Sequence, residues 1–315
     1  MEAVSLSAAI LDRLDSLTKP LGSLGDLEKL AHRYCLLTGQ ITPPLPRKGM
    51  YLFCADHGVV AEGVSAYPAS VTAAMVKNFE RGGAAINVLC RQFQIEPVIV
   101  DCGVGHPTAN FAVEPAMTIA KAEELLKRGR MLAHNAQQRF DLVGLGEMGI
   151  GNTTPAAAIL SAFTGLPPAQ TVGAGTGLDS AGIAHKATVV GRALALHPSR
   201  EPMQILANVG GFEIGTMAGF IIAASEIGLP VVVDGFISSA AALVAVKLNP
   251  KALQTAFFSH RSAEPGHQAM LQVLNVTPPL DLGLRLGEGS GAALMINLIE
   301  TSLRIYLEMA TFADL

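Results

Sequence analysis

The sequence has no tryptophan, few aromatic residues of any kind (5%) and few charges (15%), and no stretch of it is strongly basic. Each shortage narrows the field. Single-stranded nucleic acids need aromatic side chains interleaved with Lys and Arg. With those missing and a net charge of −4, no nucleic-acid partner is expected. The four cysteines (Cys35, Cys54, Cys90, Cys102) form no C-x-x-C pair and have no metal-type spacing with the histidines, so reduced, buried thiols are expected. No basic segment followed by an apolar one opens the chain, which argues against a secretory signal. The longest uncharged run, Met148–Leu178, is broken by Asn152, Pro155, Pro167 and Pro168, so it reads as loop–helix–loop and not as a membrane span. A cytoplasmic protein without membrane contact is the expectation.

What is present is Ala, Val, Leu and Ile beside 32 Gly, with half the residues hydrophobic. Small side chains of this kind suit helices lying close against a parallel sheet. Short apolar runs recur, each followed by a glycine or acidic cluster and then a helical stretch. They are Tyr51–Cys54, Val98–Val100, Leu142–Leu145, Ile205–Val209, Val231–Val233 and Phe257-Phe258. That rhythm predicts an α/β fold with a mainly parallel sheet, in which ligands sit beyond the carboxyl ends of the strands. Two helices, Leu6–Leu17 and Leu24–Leu37, precede the first strand, with Ser23 as a candidate N-cap. A proline-containing linker, Thr42–Lys48, leads into the sheet, and Ala292–Met309 has the length of a final helix. The expected division is a helical small domain from residues 1–48 and 289–315, around a catalytic domain of residues 49–288.

Six strings carry chemistry. In GEMGIGNTTP (Gly146–Pro155), Gly149, Gly151, Asn152 and Thr153 predict backbone N–H groups gathered at a helix N-terminus, a seat for phosphate. Thr153 or Thr154 is the expected cap, with Pro155 in the first turn. No Lys follows the last glycine, so this is not a Walker A loop. VGAGTGLD (Val172–Asp179) holds Gly173 and Gly175 in a second amide-rich turn; its spacing misses the dinucleotide fingerprint. Lys186, two turns further on, could reach a phosphate or be an ordinary solvated lysine. RLGEGSGAA (Arg285–Ala293) isolates Glu288 between glycines at a helix start, where the helix dipole is expected to keep it ionised as a general base. SHRSAEPGH (Ser259–His267) sets His260 and His267 near Ser262, in a spacing that favours hydrogen bonding or substrate contact over a metal. In ADHG (Ala55–Gly58), Asp56 and His57 form either an acid–base pair or a loop-holding hydrogen bond. VVVDGFISS (Val231–Ser239) has one acid, Asp234, where a magnesium–diphosphate loop needs two, so no metal is expected.

Taken in order, LDRLDSLTKPLGSLGDLEKLA, ADHGVVAEGVSAYPASVTAAMV, GEMGIGNTTPAAA, VGAGTGLD, GGFEIGTMAG, VDGFISSAAAL, SHRSAEPGH and LDLGLRLGEGSGAA resemble the nicotinate-nucleotide–dimethylbenzimidazole phosphoribosyltransferases, from about Leu11 to the last helix. The resemblance implies a Rossmann-like three-layer domain, a homodimer and no cofactor. It also implies transfer of phosphoribose from nicotinate mononucleotide to 5,6-dimethylbenzimidazole. Glu288 falls at the family's base and Glu147 at its second glutamate, which would give electrostatic help if ionised near the ribose. Gly175, Lys186, Ser262, Arg285 and Gly291 fall at nucleotide contacts, and Ser65 at the benzimidazole pocket. Ala73-Ala74 stand where many members have a Gln, Ser180 replaces a frequent acid and Leu21 a frequent Pro. The Ala pair leaves the accepted base open among dimethylbenzimidazole, another benzimidazole, adenine and a phenol. A non-catalytic nucleotide-binding regulator and, on the 173–177 glycines alone, a nicotinamide-dependent oxidoreductase are the competing readings.

Overall fold

The computed structural model describes residues 3–315, with side chains from Leu6 onward. Five strands form one all-parallel sheet: β1 Lys48–Ala55, β2 Glu96–Gly103, β3 Leu142–Met148, β4 Val231–Val233 and β5 Ala256–Phe258. Their order is β2-β1-β3-β4-β5, so the winding direction reverses between β1 and β3. A crevice at the carboxyl ends of such a switch point is where doubly wound sheets bind ligands.

Side-chain alternation assigns the two faces. Along β1, Met50, Leu52 and Cys54 join the helices Ala3–Ser16, Asp26–Thr38, Ala85–Phe93 and Ser290–Glu308 in one core. Tyr51, Phe53 and Ala55 face the helices Ile119–Arg139, Thr153–Thr164, Phe212–Ile227 and Phe236–Leu248 in the other. The small-residue composition acts where it was expected to. A Cβ on Gly129 would lie 2.6 Å from Phe220 N, and one on Gly219 2.7 Å from the Leu126 backbone, so the helices Ile119–Arg139 and Phe212–Ile227 touch backbone to backbone. The terminal helices are tied by Tyr306 Oη donating to Ile41 O (2.8 Å) and Arg13 donating to Tyr306 O (3.2 Å). The last helix also covers the sheet: fully buried Ile296 lies against Met50 beside Gly144, a burial of about 2 kcal/mol.

Three local expectations are corrected. Ile205–Val209 is not a strand but most of the helix Pro202–Val209, begun by Pro202; a short buried apolar run looks the same in either state. Ser23 does not cap the second helix. The chain turns through Gly22 and Gly25 at positive φ, and the helix starts at Asp26 with Gly25 in the N-cap position. Nor does Thr153 or Thr154 cap the helix Thr153–Thr164. Asn152 holds that position without a capping bond, and its side-chain N–H donates to Glu147. No helix among the described residues is long and apolar enough to cross a membrane.

Candidate active site

A cavity of about 320 Å³ opens where β3, β4 and β5 end. The turn after β3 forms its floor and brings together Glu147, Gly149, Gly151, Asn152 and Thr153, as the glycine pattern implied. Gly151 sits at φ 86°, a conformation open to glycine, and lets Thr153 begin the helix immediately. Gly175 faces the floor from the second turn, Ser262 from the segment after β5, and Arg285 and Glu288 from the segment before the last helix. Arg285 is exposed at the rim.

Glu288 is held in place by four neighbours. It adopts φ 58° between Gly287 (78°) and Gly289 (74°), three consecutive left-handed residues of which only the carboxylate bears a side chain. Such a conformation costs a non-glycine residue about 1 kcal/mol or more, which points to selection for the carboxyl group. Gly146 makes the approach possible: a Cβ there would lie 2.5 Å from Gly289 Cα. Asp234, at the end of β4, fixes the other side by accepting from Gly289 N (3.1 Å) and Ala292 N (2.8 Å). Its carboxylate therefore anchors the final helix, and this is the role of the single acid in the VVVDGFISS string.

The charge states depart from the sequence expectation. Burial, and next the charge of Asp234, push the Glu288 carboxyl up to about 7. The helix dipole does not keep it fully ionised, because Glu288 lies before the N-cap and is only 7% exposed. Glu147 is pushed further, to about 8, by burial and then by Asp234 and Glu213, with Asn152 donating to Oε2 in partial compensation. A carboxyl raised this far is mainly protonated at neutral pH. Two carboxyl groups raised to about 7 and about 8 are the pattern of an acid–base site.

Three expected residues do not line the cavity. Lys186 is fully buried behind the floor, which removes the solvated-lysine alternative. Its Nζ donates to Thr153 Oγ1 at 2.6 Å, and burial lowers the ammonium to about 8 against the opposing charge of Glu264. Gly173 packs on Glu264, and its carbonyl faces Lys186 Nζ at 3.4 Å. Gly291 lies flat under His260, where any Cβ would strike the ring.

Ser65 does line the cavity, yet its hydroxyl is shared with Thr176 Oγ1 at 3.0 Å. Thr176 also accepts from Ala66 N (3.0 Å) and so bridges the two loops over the cavity. Glu264, whose Oε1 accepts from Gly175 N at 2.9 Å, braces the second turn. Neither residue stood out in the sequence beyond lying inside a glycine-rich or polar string. The helix Ser70–Glu80 turns Val71 and Met75 to the cavity, one helical turn apart; Ala73 and Ala74 lie off that face and do not line it.

The histidines separate. His267 Nδ1 accepts from Ser262 N (2.9 Å) and its other nitrogen meets Ser239 Oγ (3.0 Å), while burial lowers it to about 3, so it is a neutral brace. His260 borders the cavity beside Ser259 and Asp234. His57 does not bond Asp56. Asp56 accepts from Gly105 N at 2.7 Å, whereas His57 turns inward to Glu213. No group of three or more His, Cys, Asp or Glu suited to a metal occurs among the described residues. All four cysteines are buried free thiols.

A parallel sheet with a small-molecule cavity at the carboxyl ends of its strands, lined by phosphate-type turns and two near-neutral carboxyl groups, has its match among known proteins. A family model described as a phosphoribosyltransferase matches residues 3–315, which sets the class as enzymes that transfer a phosphorylated pentose. Nicotinate-nucleotide–dimethylbenzimidazole phosphoribosyltransferase of Chlorobium chlorochromatii is 49% identical over 98% of this chain and 92% of its own length. The enzyme of the same name from Pseudomonas fluorescens is 49% identical over 96% and 92%. The crystal structure of CobT from Thermus thermophilus superposes with a TM-score of 0.92 at 44% identity, covering 98% of each chain. The chain belongs to the nicotinate-nucleotide–dimethylbenzimidazole phosphoribosyltransferase family.

Proposed function

We propose that the protein transfers the phosphoribosyl group of nicotinate mononucleotide to 5,6-dimethylbenzimidazole, giving α-ribazole 5′-phosphate, nicotinate and a proton, a step in assembling the nucleotide loop of cobalamin. The observation that carries the reading is Glu288, a carboxyl group poised near pH 7 and held at a left-handed φ on the cavity wall. The incoming benzimidazole must lose its N–H as its other nitrogen bonds C1′, and a single carboxylate of this basicity accepts that proton.

Bond making and breaking balance without further partners. The C1′–N bond to the pyridinium breaks and its electron pair returns to the ring nitrogen, which leaves as neutral pyridine and needs no acid. Attack from the opposite face inverts β to α. The developing positive charge at C1′ is favoured by ionised Glu288 and buried Asp234, while protonated Glu147 offers a hydrogen-bond donor to the ribose. The phosphate is assigned to the Gly149–Thr153 turn through its Gly149, Gly151 and Thr153 N–H groups, since those of Ile150 and Asn152 are already bonded within the protein, with Ser262, Arg285 and, through Thr153, Lys186; Gly175, whose N–H is held by Glu264, shapes the facing turn. Ser65, Val71, Met75 and Leu286 form the base side, and its apolar character favours a benzimidazole over adenine, whose amino group would stay unpaired. On the same reading, residues 1–48 and 289–315 act as a small domain whose last helix follows directly on Glu288, and the enzyme works as a cytoplasmic homodimer. Incubation of purified protein with both substrates, followed by chromatography, tests the reading: α-ribazole 5′-phosphate is expected, and nucleotide binding without any product would leave only the regulator reading.

A further inference from the structure

Beneath the turn that carries Glu147 lies a pair of titratable groups that the reaction as written does not use. His57 follows β1, and Glu213 is in the first turn of the helix Phe212–Ile227. Both side chains are 0% exposed, with His57 Nε2 and Glu213 Oε1 3.0 Å apart. The contact lacks hydrogen-bond geometry, and neither residue's polar side-chain atoms have a hydrogen-bond partner among the described residues. Burying two polar side chains with no other partner ordinarily costs stability relative to an apolar pair.

The surrounding backbone is cut away to admit the pair. A Cβ on Gly149 would lie 3.0 Å from His57 Nε2 and 2.5 Å from Ala55 O. One on Gly211 would lie 2.6 Å from His57 Cε1 and 2.6 Å from Glu213 Oε2. The Glu147–Asn152 turn therefore rests directly on the imidazole. The charged and titratable groups around Glu147 are Asp234, Glu213 and Glu288, with Asn152 as its hydrogen-bond donor and Cys54 close by. Beside Glu213 lie His57, Cys54 and Cys102, and burial keeps both thiols neutral.

We propose that His57 and Glu213 are positioning residues for the site: the pair seats the Gly149 turn and sets the surroundings of the Glu147 carboxyl. Glu213 is the second of the charges that raise the Glu147 carboxyl, after Asp234, and like Asp234 it lies outside the cavity wall, which Glu288 lines. Neutralising it relieves repulsion of the Glu147 anion, so Glu147 must release its proton at lower pH. The consequence for turnover rests on the function proposed above; the titration itself does not.

The test is carboxyl ¹³C NMR titration of glutamate-labelled, substrate-free protein, with the Glu147 signal assigned by its loss in Glu147→Gln. In the Glu213→Gln variant its midpoint is expected to fall by about one pH unit. Glu213→Asp, which keeps the charge but draws it back from the pair, serves if Glu213→Gln does not fold; a smaller fall in the same direction is expected. An unchanged midpoint with a lowered Tm overturns the proposal and leaves the pair a packing element. In activity profiles, Glu213→Gln is expected to move the alkaline limb to lower pH in the wild-type background and to move nothing in Glu147→Gln; a shift that persists there also overturns it. A fallen midpoint in a protein that makes no ribazole phosphate supports the proposal and removes the functional reading instead.

Discussion

Gly287 and Glu147 are in contact across the site: a side chain on Gly287 would collide with Glu147 Oε1. The turn that presents one carboxyl group is thus shaped around the other. Gly287→Ala meets both this clash and a left-handed φ of 78°. It is expected to lower kcat/KM by roughly 100-fold while destabilising the fold by only about 1–2 kcal/mol, measured by steady-state kinetics beside denaturant unfolding. A variant that loses stability but keeps kcat/KM would separate the two carboxyl groups functionally.

The two raised carboxyl groups set a narrow pH window. Glu288 must be ionised to accept a proton, so kcat/KM rises through about 7; Glu147 must keep its proton, so it falls again through about 8. A pH–rate profile is expected to be bell-shaped with those limbs. Asp234→Asn removes the charge that, after burial, does most to raise Glu288, so its acid limb moves to lower pH, together with a lower kcat as the Gly289 and Ala292 anchor weakens.

The same groups trade stability for chemistry. A carboxyl whose folded value lies above its unfolded one is bound to its proton more tightly in the native state. Its burial therefore costs nothing below about pH 4 and progressively destabilises the fold as pH rises towards the folded value. Glu147→Gln is expected to raise Tm relative to wild type at pH 8, with the gain fading at pH 5. A gain independent of pH would point to packing.

Lys186 lies behind the cavity lining and bonds Thr153. Lys186→Met keeps the stem's packing and removes the charge, so the nucleotide should bind about 10- to 100-fold more weakly while the base binds unchanged, as read by calorimetry. Equal weakening of both would mean that the turn itself had moved.

The pattern of strand, glycine turn and helix made the parallel sheet and most of the cavity floor readable in the sequence, because both depend on local chemistry: β-branched runs and glycines at positive φ. Ile205–Val209 misled because a run of that length, buried all round, carries no period. The charge states misled for another reason. A helix dipole can be read from neighbouring residues, but the burial of Glu288 and its nearness to Asp234 arise only when β4 and the last helix meet. His57–Glu213 and Ser65–Thr176 join segments remote in the chain, and no spacing announces them. Lys186 shows the converse: an ordinary helix position in sequence becomes a fully buried ammonium group once the helix Ser180–Leu196 packs behind Thr153.

The most direct test of the central claim is Glu288→Gln, an exchange that keeps shape and removes basicity. Single-turnover product formation would be followed beside equilibrium binding of nicotinate mononucleotide and dimethylbenzimidazole. Both dissociation constants are expected within about threefold of wild type, with product formation slowed by about 10²- to 10⁴-fold and no acid limb left near pH 7. Turnover within tenfold of wild type, with the limb intact, would contradict Glu288 as the base.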